Sequence, residues 1–275
     1  MKKTKTALPK NQQLKLFTDS DIGFKPLEVL SYGGGKQTFA MLVLIEQGKL
    51  PKPNIIIFAD TRNESPETYW HIENVAMPLM ARLAIPFVKV SKGDLYEYCW
   101  QHEITPIWPT CTTSFKIQPI NNYLREAYNL KSGRHQVNTW IGITTDESHR
   151  MTPSQVQYIE KVYPLINLEM NRQDCIEITK VAGYPVAPKS GCMECCHKDW
   201  ERQYWQQPDR FEWALNLERH AQTRRPSVKR SASLPEYGRS LRKIHLLPNP
   251  KYNQLVDAAI EAVIEDACSI GYCGV

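Results

Sequence analysis

The sequence predicts an α/β fold with a doubly wound, mainly parallel sheet, followed by a Cys-rich helical C-terminal region. Two observations indicate the sheet. Strand-like and helix-like segments alternate over about the first 150 residues, and the segment Asn54–Asp60 (NIIIFAD) is largely apolar and β-branched. Such a strand is typical of a parallel sheet that helices cover on both faces. Ligands of these sheets bind beyond the carboxyl ends of the strands.

The predicted elements follow one another in a regular order. The apolar run Pro26–Tyr32 leads into glycines, and the helix Gln37–Gln47 follows them and ends at Gly48. The remaining elements are the strand Asn54–Asp60, the helix Pro66–Leu83, the strand Ile85–Val90, a helix near Lys116–Tyr128 and the strand Val137–Thr144. Crossovers between parallel strands are right-handed, so this order predicts helices on both faces of the sheet.

Composition bounds the class of protein. The 275 residues are 42% hydrophobic and 23% charged, as in soluble globular proteins, and no apolar run is long enough for a membrane span. Residues 1–24 form a basic, polar arm that lacks the apolar stretch of a secretory signal. We therefore expect a cytoplasmic protein with this arm, an α/β domain over residues 25–150 and a region packed on it over residues 151–275.

The net charge of +5 is mild but locally concentrated. Between Arg219 and Lys243 the chain carries eight Lys or Arg residues, with Glu236 as the single acid after Glu218. Such a stretch is able to contact the phosphates of a nucleic acid. The alternative is a solvated surface insertion with no partner.

The segment SYGGGKQTFA, residues 31–40, stands where a phosphate-binding loop is expected. It fits neither common fingerprint: Leu30 and Gln37 break the P-loop pattern, and Thr38 replaces the last glycine of the dinucleotide pattern. Glycines after a first strand nevertheless bring backbone N–H groups close to an anion, and the next helix adds its positive end. Lys36 supplies a charge. The alternative is a turn that is glycine-rich for tight packing only.

Several motifs resemble one known family. Gly33–Thr38 (GGGKQT) resembles the S-G-G-x-D-S loop of PP-loop ATPases. The segment FADTRNESPETYW resembles the D-T-G-x-x-x-P-E-T-Y signature of phosphoadenosine phosphosulfate (PAPS) reductases, with Arg62 in place of the glycine. Similar likenesses to a phage and bacterial branch of that family follow in WIGITTDESHR, YPLI, KSGCMEC and the closing CSIGYCGV. The resemblance runs from about Leu27 to Val275 and implies an adenine nucleotide alpha hydrolase-like, Rossmann-like fold.

The resemblance implies an adenine nucleotide, either ATP or PAPS/APS, bound across the first strand ends. Its expected contacts are Ser31, Gly33, Gly34, Gly35, Lys36, Gln37, Thr38, Asp60, Arg62, Gly142 and Arg150. Two of these have alternatives, because Asp60 is also suited to cap the next turn and Arg150 to pair with Asp146 or Glu147 on the surface.

Gln37 separates two kinds of relative. In PP-loop enzymes that split ATP between its α and β phosphates, the matching position is usually an acid. Gln37 cannot offer a carboxylate to Mg²⁺, which favours a reductase that cleaves no pyrophosphate. Asp60, Asp146 and Glu147 are still able to hold a metal, so Mg²⁺ stays open.

The eight cysteines are many for a reducing compartment, where metal ligation or thiol chemistry explains grouping better than disulfides do. Cys192-x-x-Cys195 has metal-ligand spacing. The resemblance implies a [4Fe-4S] cluster, with zinc and unmetallated thiols as alternatives, and the candidate further ligands are Cys111, Cys268 and Cys273. We expect Cys196 to be a spare thiol, and Cys99 and Cys175 to be buried packing residues.

The tail has a competing interpretation, because reductases of this family use a C-terminal cysteine as the nucleophile that attacks sulfur. Cys273 or Cys268 would then be catalytic, with Lys36 as a further catalytic residue. A thiol donor such as thioredoxin would supply electrons. Three functions follow: PAPS reductase-like sulfonucleotide reduction or sulfur transfer, ATP-dependent adenylation or thiolation of tRNA or DNA, and a non-catalytic zinc-stabilised nucleotide-binding module. A homodimer is a further expectation.

Overall fold

A computed structural model describes residues 25–104, 110–130 and 136–193, together with positions 213, 216, 217, 220 and 221. Its centre is one sheet of five parallel strands in the order β3-β2-β1-β4-β5. The strands are β1 (Leu27–Ser31), β2 (Ile55–Ala59), β3 (Phe87–Val90), β4 (Val137–Trp140) and β5 (Ile159–Val162). The predicted doubly wound parallel α/β fold is confirmed.

Helices connect these strands, and further helices come after β5 in the sequence. Their bounds are α1 (Lys36–Glu46), α2 (Pro66–His71), α3 (Met77–Arg82), α4 (Leu95–Gln101), the single turn α5 (Thr110–Thr112), α6 (Gln118–Ala127), α7 (Pro164–Asn167) and α8 (Arg172–Val181). A 3₁₀ turn spans Thr145–Arg150. No helix in the described part of the chain is both long and apolar enough to cross a bilayer.

Two predicted helices contain a π-helical turn. Ile72–Ala76 joins α2 to α3, and Thr113–Ile117 joins α5 to α6. Each π turn stands just before a proline, Pro78 or Pro119, in the first turn of the next α-helix. Proline lacks an N–H donor and clashes with the carbonyl four residues earlier, so a locally widened turn lets the helix continue.

The strands bury alternate residues in two cores. On one face, Leu30 of β1 and Ile56 of β2 pack with residues of α1, α3 and α8. On the other face, Val29 and Ile57 pack with Ile120 and other residues of α6. Adjacent side chains of a strand point to opposite faces, so an uninterrupted apolar run is needed where both faces are covered.

Two features of the sheet differ from the sequence prediction. β4 ends at Trp140 instead of Thr144, because the Ile143 N–H donates to the Ile141 carbonyl at 2.9 Å and turns the chain at Gly142. β5 was not predicted, since its sequence IEKV carries charges at two of four positions. It pairs with β4 at the sheet edge, where Glu160 is exposed and Lys161 is half-buried.

Candidate functional site

The glycine loop lies at the point where the chain changes direction in the sheet. From β1 the chain proceeds outward through β2 and β3, and it then crosses to β4 on the other side of β1. The loops after β1 and β4 therefore diverge and leave a crevice at their carboxyl ends, which is where ligands of such sheets bind. Ser31 ends β1 at this edge and is buried.

Two glycines of the loop have no room for a side chain. Gly34 has φ +73°, and a Cβ there would lie 2.8 Å from Thr68 Cγ2 and 3.2 Å from Ile72 Cδ1. A Cβ at Gly35 would lie 2.7 Å from Ser190 Oγ. The loop therefore packs between α2 and the segment before Cys192. At Gly34 and Gly35 its backbone lies close to the side chains of Thr68 and Ser190, which glycine permits because it has no Cβ.

The start of α1 lacks a side-chain cap. Its N-cap residue is Gly35, no side chain caps the first turn, and no acid stands in that turn. Thr38 donates its hydroxyl to the Gly35 carbonyl at 3.1 Å, so this hydroxyl braces the turn. A helix N-terminus carries the positive end of the helix dipole, which favours an anion. Lys36 stands at the first helical position, half-buried.

Gly142 closes the opposite side of the crevice. A Cβ at this position would lie 2.9 Å from Thr38 Cγ2, 3.3 Å from Gln37 Cβ and 3.3 Å from the Thr38 backbone nitrogen. The chain leaving β4 thus runs directly against the first turn of α1. This contact brings the predicted residues Gln37, Thr38 and Gly142 together.

A buried carboxylate then joins both sides. Glu147 is 4% exposed, and its Oε2 accepts a hydrogen bond from Gln37 Nε2 at 3.0 Å. Its Oε1 pairs with Arg150 NH1 at 3.0 Å and with the guanidinium of Arg172. The pairing of Arg150 with Glu147 was one alternative from the sequence, but it is buried and not a surface contact, with side-chain exposures of 9% and 6%.

Asp60 lies at the end of β2 and organises the loop that follows it. Its Oδ1 accepts the backbone N–H of Arg62 at 2.8 Å and the hydroxyl of Tyr69 at 2.6 Å. Burial, and then the hydrogen bond to Asp60, raise the pKa of Tyr69, which keeps this hydroxyl protonated. Arg62 is exposed with φ +59°, in the left-handed region. It is the position where the resembled signature carries glycine, which explains why that signature has a glycine there.

A second buried carboxylate lies in the same loop. The side chain of Glu64 has no exposed surface, and its Oε1 pairs with Lys116 Nζ at 2.8 Å. The Cys192 thiol donates to the same oxygen at 3.6 Å and lies 3.4 Å from Thr61 Oγ1. Cys192 also forms a β-bridge with Glu64. The predicted ligand Cys192 is therefore held beside the loop that contains Asp60.

The cysteines of the described residues fall into two groups. Cys111, Cys192 and Cys99 share one apolar cluster around Phe115, whereas Cys175 is buried in the main core. Burial, followed by nearby acids, raises the pKa of Cys175 to about 12, so it is an inert packing residue. Within the described ranges, no three His, Cys, Asp or Glu side chains converge as metal ligands would.

Several predicted features lie outside the described residues. They are Cys195, Cys196, Cys268, Cys273, the N-terminal arm and, apart from positions 220 and 221, the stretch from Arg219 to Lys243.

Sequence reasoning missed several participants in the site. Glu64 and Ser190 lie inside segments that carry the family likeness, so their position in those motifs was an available signal. Lys116 and Arg172 had no comparable signal, because each meets its partner only through tertiary packing.

Comparisons with known proteins identify the class of domain. A family model described as the phosphoadenosine phosphosulfate reductase domain matches residues 28–173, just over half of the chain. No curated protein sequence matches the chain.

Solved structures with a similar fold include proteins from three different organisms. The phosphate complex of PAPS reductase from Candida auris has 16% identity and a TM-score of 0.43 over 60% of this chain and 77% of that chain. The U34-tRNA thiolase NcsA from Methanococcus maripaludis, with its [4Fe-4S] cluster, has 13% identity and a TM-score of 0.42 over 86% of each chain. NMN synthetase from Francisella tularensis has 15% identity and a TM-score of 0.41 over 85% and 92%. At these identities the similarity concerns the fold and not the activity.

Proposed function

Because this chain belongs to the phosphoadenosine phosphosulfate reductase domain family, we propose that it is an enzyme of sulfur chemistry that binds an adenine nucleotide at the glycine loop. The observation that carries the proposal is the uncapped start of α1 behind Gly34 and Gly35, at the divergence of β1 and β4. Backbone N–H groups directed into such a crevice favour a phosphate or sulfate group.

The proposed contacts divide by chemistry. Ser31, Gly33–Gly35 and the first turn of α1 surround the anion, with Lys36 as a charged donor. Asp60 and Arg62 lie at the adjacent strand end, where a ribose or adenine would extend, and Gly142 and Arg150 bound the side of β4. The carboxylate of Asp60 is oriented by the hydroxyl of Tyr69, which prepares it for this contact.

The nucleotide is expected to be a sulfonucleotide such as PAPS or APS, which the enzyme reduces or from which it transfers sulfur. Gln37 donates to Glu147, and the Glu147 carboxylate is shared with two arginines. Neither residue offers the uncommitted carboxylate that Mg²⁺ prefers beside a pyrophosphate. This supports a site that does not split ATP.

A direct test measures nucleotide binding and two turnovers on the full chain. Isothermal titration with ADP and APS is expected to show binding that Lys36→Met weakens about tenfold through loss of one charged contact. Lys49→Met is the matched control, because Lys49 lies exposed just beyond the other end of α1. Sulfite release from PAPS or APS with a dithiol donor such as thioredoxin would support the reductase. Pyrophosphate release from ATP would contradict it and favour adenylation of a nucleic acid, whereas binding without turnover would favour a non-catalytic module.

We also propose that cysteines hold a [4Fe-4S] cluster, with zinc as the alternative. Cys111 and Cys192 share one apolar cluster, which supports a common site to which Cys195 and the tail residues Cys268 and Cys273 would add ligands. Two thiols do not complete a four-ligand site, so no reaction step is derived from it. Iron, sulfide and zinc content of protein purified without oxygen tests the proposal. Cys192→Ser should lower the metal content, and Cys175→Ser should not.

A further inference from the structure

Glu147 connects three separate parts of the chain through one carboxylate. Its Oε2 accepts a hydrogen bond from the Gln37 side chain in the first turn of α1. Its Oε1 forms ion pairs with the guanidinium groups of Arg150 and Arg172. The side chains of Arg150 and Arg172 are 9% and 19% exposed, so the group is largely removed from solvent. Charge-assisted hydrogen bonds of this kind are among the stronger polar contacts in proteins.

The backbone around this carboxylate is itself held in place. The Glu147 N–H donates to the Thr144 carbonyl at 2.9 Å, and the Arg172 N–H donates to Asp146 Oδ1 at 3.1 Å. The Thr145 N–H donates to the Met170 carbonyl at 2.9 Å, which ties the loop after β4 to the start of α8. These hydrogen bonds connect the loop to the start of α8, so the carboxylate has a defined position between them.

The three side chains Glu147, Arg150 and Arg172 carry one net positive formal charge between them, and the Asp146 carboxylate accepts from the backbone of Arg172 on the side of α8. One carboxylate stands between two guanidiniums, next to the uncapped and positive end of α1. Glu147 links Arg150 to Gln37, because its Oε1 lies 3.0 Å from Arg150 NH1 and its Oε2 lies 3.0 Å from Gln37 Nε2. A fixed positive group near such a helix end adds to the attraction for an anion without the cost of ordering a mobile side chain.

We propose that Glu147 is a positioning residue for the anion site. It holds Arg150 and Arg172 as a preorganised pair beside the glycine loop, and Gln37 sets the distance between this pair and the loop. The inference rests on the proposed nucleotide site. It adds that anion recognition depends on a carboxylate that does not itself touch the ligand.

The test compares a charged and an uncharged probe on the full chain. Titrations with ADP and with adenosine would be made on the wild type, Glu147→Ala and Glu147→Gln. Glu147→Ala releases both arginines and is expected to weaken ADP binding about tenfold, as for loss of one charge-assisted contact, with adenosine binding unchanged. Glu147→Gln keeps an acceptor oxygen for arginine, and Gln37 is able to turn its amide to meet the new side chain. ADP binding should then stay within about threefold of the wild type.

A double-mutant cycle measures the coupling between Glu147 and Arg172 in ADP binding, which a general loss of stability would not produce. Arg172→Met should weaken ADP binding, and combining it with Glu147→Ala should cost less than the two single losses together, because both act on one arrangement. Thermal melting checks that each variant is folded. If Glu147→Ala does not fold, the other two variants still test the inference. It requires that Arg172→Met weakens binding of ADP but not of adenosine, and that Glu147→Gln leaves ADP binding nearly unchanged.

Failure of this inference is distinguishable from failure of the proposed function. If the wild type binds neither ADP nor APS, the nucleotide site is wrong and the positioning role with it. If the wild type binds ADP and Glu147→Ala binds it equally or more tightly, Glu147 only neutralises the arginines and the inference is overturned. Parallel loss of ADP and adenosine binding would also overturn it, because that result marks a purely structural role.

Discussion

The backbone at Gly142 lies so close to Thr38 that a Cβ atom there would be 2.9 Å from Thr38 Cγ2. This contact joins the turn after β4 to the first turn of α1. The close approach of the two segments depends on the absence of a side chain at Gly142.

Gly142→Ala is expected to lower the free energy of unfolding by about 1–3 kcal/mol, since the added methyl group overpacks a buried contact. Chemical denaturation of both proteins measures the difference. Thr38→Ser is the matched partner, because it removes the methyl group that would collide and keeps the hydroxyl that donates to Gly35. The double variant Gly142→Ala with Thr38→Ser should recover part of the loss. Equal stability of the wild type and Gly142→Ala would show that the turn after β4 adjusts freely.

Arg62 holds a left-handed conformation, with φ +59°. Arg62→Gly removes the steric cost of its Cβ and is expected to raise the free energy of unfolding by up to about 1 kcal/mol, less the entropy that glycine adds to the unfolded chain. Arg62→Ala lacks the guanidinium but keeps the Cβ, so it should show no gain. Urea denaturation compares the two variants.

The same pair of variants separates backbone strain from charge. If the Arg62 guanidinium contacts the nucleotide, both variants should weaken ADP binding to the same extent. Weaker binding in only one of them would assign the effect to the backbone and not to the charge.

Lys116 is the cation that pairs with the fully buried Glu64 side chain, at 2.8 Å. Lys116→Met leaves that carboxylate without its ion pair and is expected to lower the free energy of unfolding by about 3 kcal/mol. Replacing both residues, with Glu64→Met added, should restore much of the stability, since no buried charge is then left unpaired. Thermal denaturation of the single and double variants measures this recovery. A double variant as unstable as Lys116→Met would mean that Glu64 has a further essential contact.

The lowered pKa of His71 makes the free energy of unfolding depend on pH. Burial lowers the pKa of His71 below its ordinary value of 6.5, although its Nε2 contact with the Pro185 carbonyl at 3.1 Å opposes this. The unfolded chain therefore binds the proton more readily, so His71 should contribute full stability above about pH 6.5 and progressively less as the pH falls.

A variant isolates this contribution from those of the other histidines. His71→Gln keeps an amide donor but does not titrate between pH 5 and 8. The difference in free energy of unfolding between the wild type and His71→Gln should be constant above pH 7 and shrink below pH 6.5. A difference that does not change over this range would contradict the assignment.

Local patterns were sufficient to predict much of the sheet and the place of the glycine loop. The run NIIIFAD became β2, and the glycines after β1 lie at the carboxyl edge as expected. β5 escaped prediction because Glu160 and Lys161 interrupt its apolar residues, so that Ile159 and Val162 pack into opposite cores without forming an apolar run. The π turns escaped it because they are a local response of a helix to Pro78 and Pro119.

The amino-acid sequence by itself determined the α/β class, the parallel sheet, the family and the place of the glycine loop after β1, since each follows from periodicity or from motifs of neighbouring residues. Only the tertiary structure decided which charges meet. Gln37 and Glu147 are 110 residues apart in the chain, and Glu64 and Cys192 are 128 apart. Such pairs form because parallel crossovers bring the ends of distant strands to one edge, and the burial of that edge leaves each carboxylate dependent on the partner that packing supplies.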